Sequence, residues 1–264
     1  SIVCGVIGPF IVTRRMVFIS GGLSHTAFGG LGIAYWLGIR PLIGATAFVL
    51  AAAVLIGRQE EKKMSRNDLF IGILWAVGVA IGIVFIHMTP GYAPDLMTFL
   101  FGNILTVPRA DVIITLFLVL IVSGAVMIFY NGFVAIALDE EYARARRLPV
   151  AALKMGLMIL TALSIVTLIQ VVGILLVIAL LTIPVAVASE LSMNFRRIML
   201  LSILCGILIC LSGLMVSYFI EFPSGASIIL IGGLLLGAVK LTERLRSRRP
   251  ADRPEGTGGR SKET

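Results

Sequence analysis

Apolar residues run through the chain in long blocks that contain no Asp, Glu, Lys or Arg. These blocks occupy residues 16–39, 41–57, 69–94, 112–138, 155–189, 198–220 and 222–239. A helix needs about 20 apolar residues to cross a hydrocarbon core of roughly 30 Å. The blocks are continuous rather than alternating, which excludes a β-barrel. The pattern therefore predicts an all-α polytopic membrane protein.

The blocks divide into eight or nine membrane-spanning helices. We expect these spans near residues 1–13, 19–38, 41–57, 69–88, 111–132, 153–170, 172–188, 198–219 and 224–241. Residues 1–13 are too short for a full span and are interpreted as the end of a first span whose beginning is missing. At 1.5 Å per residue the uncharged run 155–189 is too long for one span and short for two. A turn or a re-entrant half-helix is therefore expected near Gln170 and Gly173.

The distribution of positive charge predicts the orientation. When the connections alternate between the two sides, all of the 22 Lys and Arg residues except Arg40 and Arg109 fall on one side. By the positive-inside rule this side is cytoplasmic, as in a multi-pass protein of a prokaryotic plasma (inner) membrane. The net charge of +8 is then a result of topology and does not indicate nucleic-acid binding.

The chain divides into one transmembrane domain, residues 1–243, and a tail, residues 244–264. The tail is charged, rich in Pro and Gly, and has no aromatic residue. Such a composition cannot bury enough apolar surface to fold. We expect a disordered basic tail on the cytoplasmic side.

Glycines are concentrated in the second predicted span. Lipid provides no hydrophobic force between helices, so small residues that allow close approach hold them together. Gly21, Gly22, Gly29 and Gly30 lie one or two turns apart. They predict that this span packs closely inside a bundle.

His25 lies among these glycines, in the segment SGGLSHTAFGG. Ionisable residues inside membranes usually face an interior cavity and mark a pathway, and imidazole is a good ligand for transition metals. The alternative is a neutral histidine hydrogen-bonded to a neighbouring helix. His87 and Asp95, at the outer end of the fourth span and in the outer loop, are weaker candidates, because solvated side chains are the default there.

The motifs of soluble catalysis and ATP hydrolysis are absent from the sequence. There is no GxxxxGK[ST], HExxH or GxSxG. No predicted span has an acidic residue in its interior, as a proton-coupled carrier would require. The sequence therefore favours a non-enzymatic transport subunit whose energy comes from a separate ATPase.

Five segments in order resemble the permease family of ABC importers for zinc, manganese and iron. They are MVFISGGLSHTAFGGLGIAYWLG, LFGNILTVPRAD, LDEEYARARRLPV, LIQVVGILLVIALLTIPVAVASEL and SYFIEFPSGASIIL. The resemblance implies a type II importer-like permease that is half of a homodimer. It also implies cytoplasmic ATP-binding subunits that hold the ATP, an extracytoplasmic metal-binding protein, and a transported divalent metal, with no cofactor on this chain.

The resemblance assigns the metal pathway to the second span. Ser24, His25 and Thr26 fall in its signature, in which most members carry GDALSH. Here Gly21 replaces the aspartate. A site based on carboxylate oxygen, suited to manganese, is therefore less favoured than a nitrogen-led site suited to zinc. A manganese or iron permease remains the alternative, and a cobalamin or siderophore permease a more distant one.

The resemblance also implies a short helix that docks on the ATPase. By analogy with the cobalamin and siderophore permeases, we expect it to begin near Pro184 and to extend to Arg197. Ser189, Glu190, Arg196 and Arg197 would contribute to this contact. Residues 139–149 are the second candidate.

Overall fold

The structure, a computed structural model of the chain, describes residues 1–60, 64–90, 102 and 107–247. Every regular element in these residues is an α-helix. The helices are α1 (Ile2–Thr13), α2 (Val17–Trp36), α3 (Pro41–Glu60), α4 (Met64–Met88), α5 (Arg109–Ile128), α6 (Tyr130–Leu138), α7 (Glu140–Ala145), α8 (Val150–Val172), α9 (Ile174–Leu191), α10 (Phe195–Ile220) and α11 (Ser224–Ser247).

The helices have the length and composition of membrane spans. Seven are long and apolar enough to cross a membrane, namely α2, α3, α4 and α8 to α11, and the bent pair α5 and α6 can supply an eighth. Helix α1 is apolar but has 12 residues, or about 18 Å of length. The predicted all-α polytopic fold is confirmed.

Helix α2 lies at the centre of the bundle. It packs on α4 and α3 along its length, and also touches α8 and α9. The spanning window of α2 is 78% buried, whereas the windows of α4, α10 and α11 are each 22% buried. The outer helices therefore turn broad apolar faces towards lipid, and α2 has almost none.

The run 155–189 forms two helices joined at one residue. Gly173 has a φ of 79°, a left-handed conformation that glycine adopts without penalty. Gly102 of the outer loop packs against this turn, so closely that a Cβ on it would overlap the Val172 backbone. The predicted turn is found and there is no half-helix. Both helices are long enough to cross the membrane, because α8 begins at Val150 and α9 continues to Leu191.

The predicted span 111–132 is wrong at its end. Helix α5 stops at Ile128, and α6 departs from it at an angle of 72°. Phe133 and Ile136 of α6 are buried, and the Phe133 ring lies 6.1 Å from that of Phe10. Packing of α6 onto α1 and α8 thus overrides the apolar continuity of the sequence.

The expectation of a separate helix beginning near Pro184 is also wrong. Pro184 is buried inside α9, which continues to Leu191 and is followed by the turn 192–194. Helix α10 begins at Phe195 after Asn194, whose side chain accepts from the backbone N–H groups of Arg196 and Arg197. At the C-terminus, α11 extends to Ser247, past the expected boundary at residue 243. The rest of the tail lies outside the described residues.

Candidate functional site

Three of the four glycines expected to pack helices lie at close crossings. A Cβ on Gly22 would collide with the Ile71 side chain, one on Gly29 would lie 2.8 Å from the Gly78 carbonyl oxygen, and one on Gly30 would overlap the Gly44 carbonyl. Backbone carbonyls cannot move aside as flexible side chains can. These crossings therefore fix the distances of α2 from α3 and α4.

Gly21 differs from the other three. A Cβ there would meet only Cζ3 of Trp75 at 3.7 Å and Cδ1 of Ile178 at 3.8 Å, which is ordinary van der Waals contact. Gly21 lines a cleft of about 570 Å³ together with Val12, Arg15, Phe18, Trp75 and Ile178, among others. The position can therefore hold a side chain, and that side chain would enter the cleft.

The cleft opens at the turn between α1 and α2. Arg15 in that turn is exposed and is the only charged residue in the lining. The remaining walls are apolar, so they offer a cation no ligand, and Arg15 disfavours a resting cation at the mouth. The cleft can serve for passage but does not bind a metal by itself.

His25 reaches the surface of the single chain. From Ile19 to Gly32 every residue of α2 except His25 is buried. The imidazole stacks on the Trp75 indole, with 4.2 Å between ring centroids and 15° between the ring planes. It lies about 12 Å along α2 from the start of that helix, well inside the span. This stacking fixes the plane of the imidazole and leaves both ring edges uncovered by Trp75.

Ser24 and Thr26 flank His25 but do not join it. The Ser24 hydroxyl donates to the Ser20 carbonyl at 2.8 Å, and the Thr26 hydroxyl donates to the Gly22 carbonyl at 2.6 Å. Both side chains are buried. They face neighbouring helices about 100° away around the helix, and their hydroxyl protons are already used. Their expected role as metal contacts has no support in this arrangement.

His87 is also remote from His25. It is exposed at the end of α4, 12 residues beyond Trp75, or about 18 Å along the helix. Asp95 lies outside the described residues. Among the residues that the structure describes, no group of three or more His, Cys, Asp or Glu could hold a metal ion. His25 is thus an isolated candidate for a metal contact, and a metal site there would need ligands from elsewhere.

Helix α7 and the start of α8 form a second polar region. The Glu140 carboxylate pairs with Lys154 of α8 at 2.5 Å and with Arg144 at 2.7 Å. Burial raises the pKa of Glu140, but the hydrogen bonds from Lys154 and Arg144 outweigh it and hold the pKa below its ordinary value. Asp139 caps the start of α7, because its carboxylate accepts from the Tyr142 backbone N–H. This network anchors α7 to the transmembrane bundle.

The residues expected to contact an ATPase have different environments. Ser189 and Glu190 are exposed at the end of α9, and Arg196 and Arg197 are exposed at the start of α10. Pro184 is buried inside α9, five residues before Ser189. Four of the five residues thus lie exposed on either side of residues 192–194, and Pro184 does not.

Trp75 is the residue of this site that sequence analysis missed. The chain has two tryptophans. Trp36 ends α2, where an interfacial tryptophan is usual, whereas Trp75 lies in the middle of α4. That unusual depth is the signal that could have identified it.

Comparison with known proteins gives a consistent result. The model of the ABC 3 transport family matches residues 1–241. A probable metal transport system membrane protein of Chlamydia pneumoniae is 38% identical over 89% of this chain and 82% of its own length. The manganese transport system membrane protein MntC of Listeria monocytogenes is 36% identical, over 89% of this chain and 84% of that protein. The high-affinity zinc uptake system membrane protein ZnuB of Haemophilus influenzae is 27% identical over 89% of this chain and 90% of that protein.

A solved structure has the same fold. It is PsaBC from Streptococcus pneumoniae in complex with Fab, with a TM-score of 0.81 and 31% sequence identity. The match covers 90% of this chain and 86% of that one. The bundle described above is therefore shared along almost its whole length.

Proposed function

Because the chain belongs to the ABC 3 transport family, we propose that it is the membrane permease of an ATP-driven importer of a divalent transition metal. A binding protein delivers the metal on the outer side, and a separate ATPase drives alternating access from the cytoplasm. Relatives that cover most of the chain are named as metal, manganese and zinc transport proteins, which supports a metal as the substrate.

One observation carries the proposal, namely the position of His25. It is the only residue of the central part of α2 that is not buried, and no hydrogen bond to its ring nitrogens is formed within the described residues. An unsatisfied polar group facing lipid would cost several kcal/mol. The imidazole therefore faces a polar pathway, which a second copy of the chain would close on its other side.

The metal that fits this site best is zinc. His25 supplies nitrogen, and Gly21 supplies no carboxylate oxygen, a combination that suits zinc better than manganese. The higher identity to manganese permeases than to the zinc permease favours the alternative. A carboxylate from the partner copy or from a loop would then complete a manganese site.

We infer that the ATPase contacts the side of the permease that carries most of the Lys and Arg residues, through two elements. The turn 192–194 carries Met193, which is 99% exposed, between Glu190 and Arg196. Helix α7 presents Tyr142, which is 53% exposed, next to Leu138 at 64%. Exposed apolar residues with charges around them are typical of a protein contact. The ion pairs of Glu140 would transmit movement of α7 directly to α8.

Uptake by the complete complex tests the proposal. The chain, its ATPase and its binding protein are reconstituted in liposomes, and uptake of zinc and manganese is measured with ATP, without ATP and with each metal competing against the other. We expect ATP-dependent uptake, with zinc outcompeting manganese. Uptake that does not depend on ATP contradicts the proposal of an ATP-driven importer. ATP-dependent uptake that prefers manganese overturns only the choice of zinc.

A further inference from the structure

Trp75 separates His25 from the cleft. Its indole covers one face of the imidazole, at 4.2 Å between centroids and 15° between planes. The same side chain lines the cleft, and His25 is not part of that lining. One residue thus touches the candidate metal contact on one side and bounds the cleft on the other.

The space around Trp75 is unequal on its two sides. Towards the mouth of the cleft, the Phe18 ring is 6.1 Å away and tilted by 46°, and Gly21 contributes no side chain. Towards His25 the two rings are in van der Waals contact. The indole therefore has room to move into the cleft and none to move towards the imidazole.

The stacking leaves metal binding possible but obstructs exit. A metal ion binds the ring nitrogens of imidazole in the plane of the ring, which a face-to-face stack does not cover. The indole, however, lies against the imidazole and also lines the cleft, so it stands beside a route from His25 into the cleft. Because Arg15, an exposed residue of the cleft lining, lies on the side that the charge distribution assigns to the cytoplasm, this route would serve release rather than loading.

We propose that Trp75 is the cytoplasmic gate of the pathway: stacked on His25 it closes the route into the cleft, and moved into the cleft it opens that route. This proposal rests on the proposed function. A single stacked aromatic pair contributes only a modest attraction, so a conformational change in α2 and α4 is sufficient to separate the rings. Gly21 provides the space for the displaced indole.

Passive release of metal tests the gate directly. Liposomes that contain the complex are loaded with zinc, and efflux is measured without ATP. Trp75→Leu keeps an apolar side chain but removes the planar face, and we expect efflux to rise by about two- to tenfold, the factor that loss of one aromatic pair implies. Trp75→Phe keeps a stacking ring and should stay near the native rate. Trp36→Phe is the matched control and should not change efflux.

Fluorescence provides a readout that a purely structural role would not change. In the Trp36→Phe background Trp75 is the only tryptophan of the chain. Ni²⁺, which imidazole binds well, should quench its emission in the full chain in lipid, and His25→Gln should abolish that quenching.

The two readouts separate the possible failures. Quenching that needs His25, together with efflux that rises in Trp75→Leu and not in Trp75→Phe, supports the gate. Quenching that needs His25, with native efflux in Trp75→Leu, overturns the gate and leaves the proposed function intact. Quenching that is unaffected by His25→Gln, together with ATP-driven uptake that is unaffected by it, overturns the proposed function and the gate with it.

Discussion

Two neighbouring glycines decide what His25 can do. The Ile71 side chain fills the space beside Gly22, whereas a Cβ on Gly21, one turn from His25, would make only ordinary van der Waals contact with Trp75 and Ile178. In the resemblance of the sequence to metal permeases, Gly21 is the position where a carboxylate is usual. The backbone here would accept the Cβ of such a residue without a clash. The absence of a carboxylate at residue 21 is therefore a chemical difference that packing does not impose.

Gly21→Asp should shift the metal preference towards manganese. The added carboxylate would lie one turn from His25 and supply the oxygen that manganese favours. We expect the ratio of manganese to zinc uptake to rise about tenfold, the effect of a ligand that contributes about 1.4 kcal/mol. Gly21→Asn, with the same size and no charge, is the control. An equal ratio in both variants would mean that residue 21 does not face the metal.

Sequence analysis identified His25 and the unusual Gly21, but not Trp75. An ionisable residue in an apolar run is visible in one segment alone. The contact between His25 and Trp75 joins α2 to α4, 50 residues apart, and depends on how the two helices are rotated against each other. That rotation is set by the crossings at Gly22 and Gly29, which a pattern of residues does not reveal.

At the scale of elements, the close crossings of α2 should dominate stability. Gly30→Ala would force a methyl group onto the Gly44 carbonyl, and such overpacking costs roughly 1–3 kcal/mol. Gly21→Ala has room, and alanine favours a helix over glycine by about 0.5–1 kcal/mol. Thermal unfolding of the purified chain should therefore show a lower Tm for Gly30→Ala only. Similar Tm values for the two variants would contradict the crossing geometry.

The ion pairs of Glu140 should make the attachment of α7 depend on pH. A carboxyl group whose pKa is lowered on folding stabilises the fold above its unfolded-state pKa, and this contribution is lost as the pH falls through the folded-state value. Glu140→Gln should lower stability at neutral pH by less than about 1 kcal/mol, because the pair is partly exposed. At acid pH the variant and the native chain should converge.

Glu141→Gln is the control for this measurement, since Glu141 is an exposed neighbour on the same helix. Tm is compared for the native chain and both variants across the acid range. A constant difference between Glu140→Gln and the native chain at every pH would mean that ionisation of Glu140 does not contribute.

The errors at the element scale have one cause. Apolar continuity predicted which segments form spanning helices. The length of the run 155–189 predicted a turn or a re-entrant half-helix near Gln170 and Gly173, and the structure has the turn. Apolar continuity could not predict the bend after Ile128, because the face of α6 that packs inside the bundle is as apolar as a face that contacts lipid. The same holds for Pro184, which the bundle accommodates inside α9 because neighbouring helices and local adjustments can satisfy the backbone groups that proline leaves free.

At the scale of the whole molecule, the proposed function assigns a role to each part of the bundle. The central helix α2 carries His25, the candidate metal contact, and α4 holds the tryptophan that stacks on it. The side that carries most of the Lys and Arg residues presents the elements that would meet the ATPase. The all-α polytopic class was predictable because the bilayer imposes it on any chain with this hydropathy. The position of the cleft was not, since it arises where α1, α2, α4 and α9 fail to fill the space between them.

The most direct test of the central claim, that the metal passes His25, is zinc uptake by the reconstituted complex with the native chain and with His25→Ala. ATP hydrolysis and thermal unfolding are measured on the same samples to confirm intact assembly. We expect uptake to fall by about tenfold or more, as for a lost ligand that contributes at least about 1.4 kcal/mol, while the complex stays assembled. Unchanged zinc uptake in His25→Ala would contradict the account.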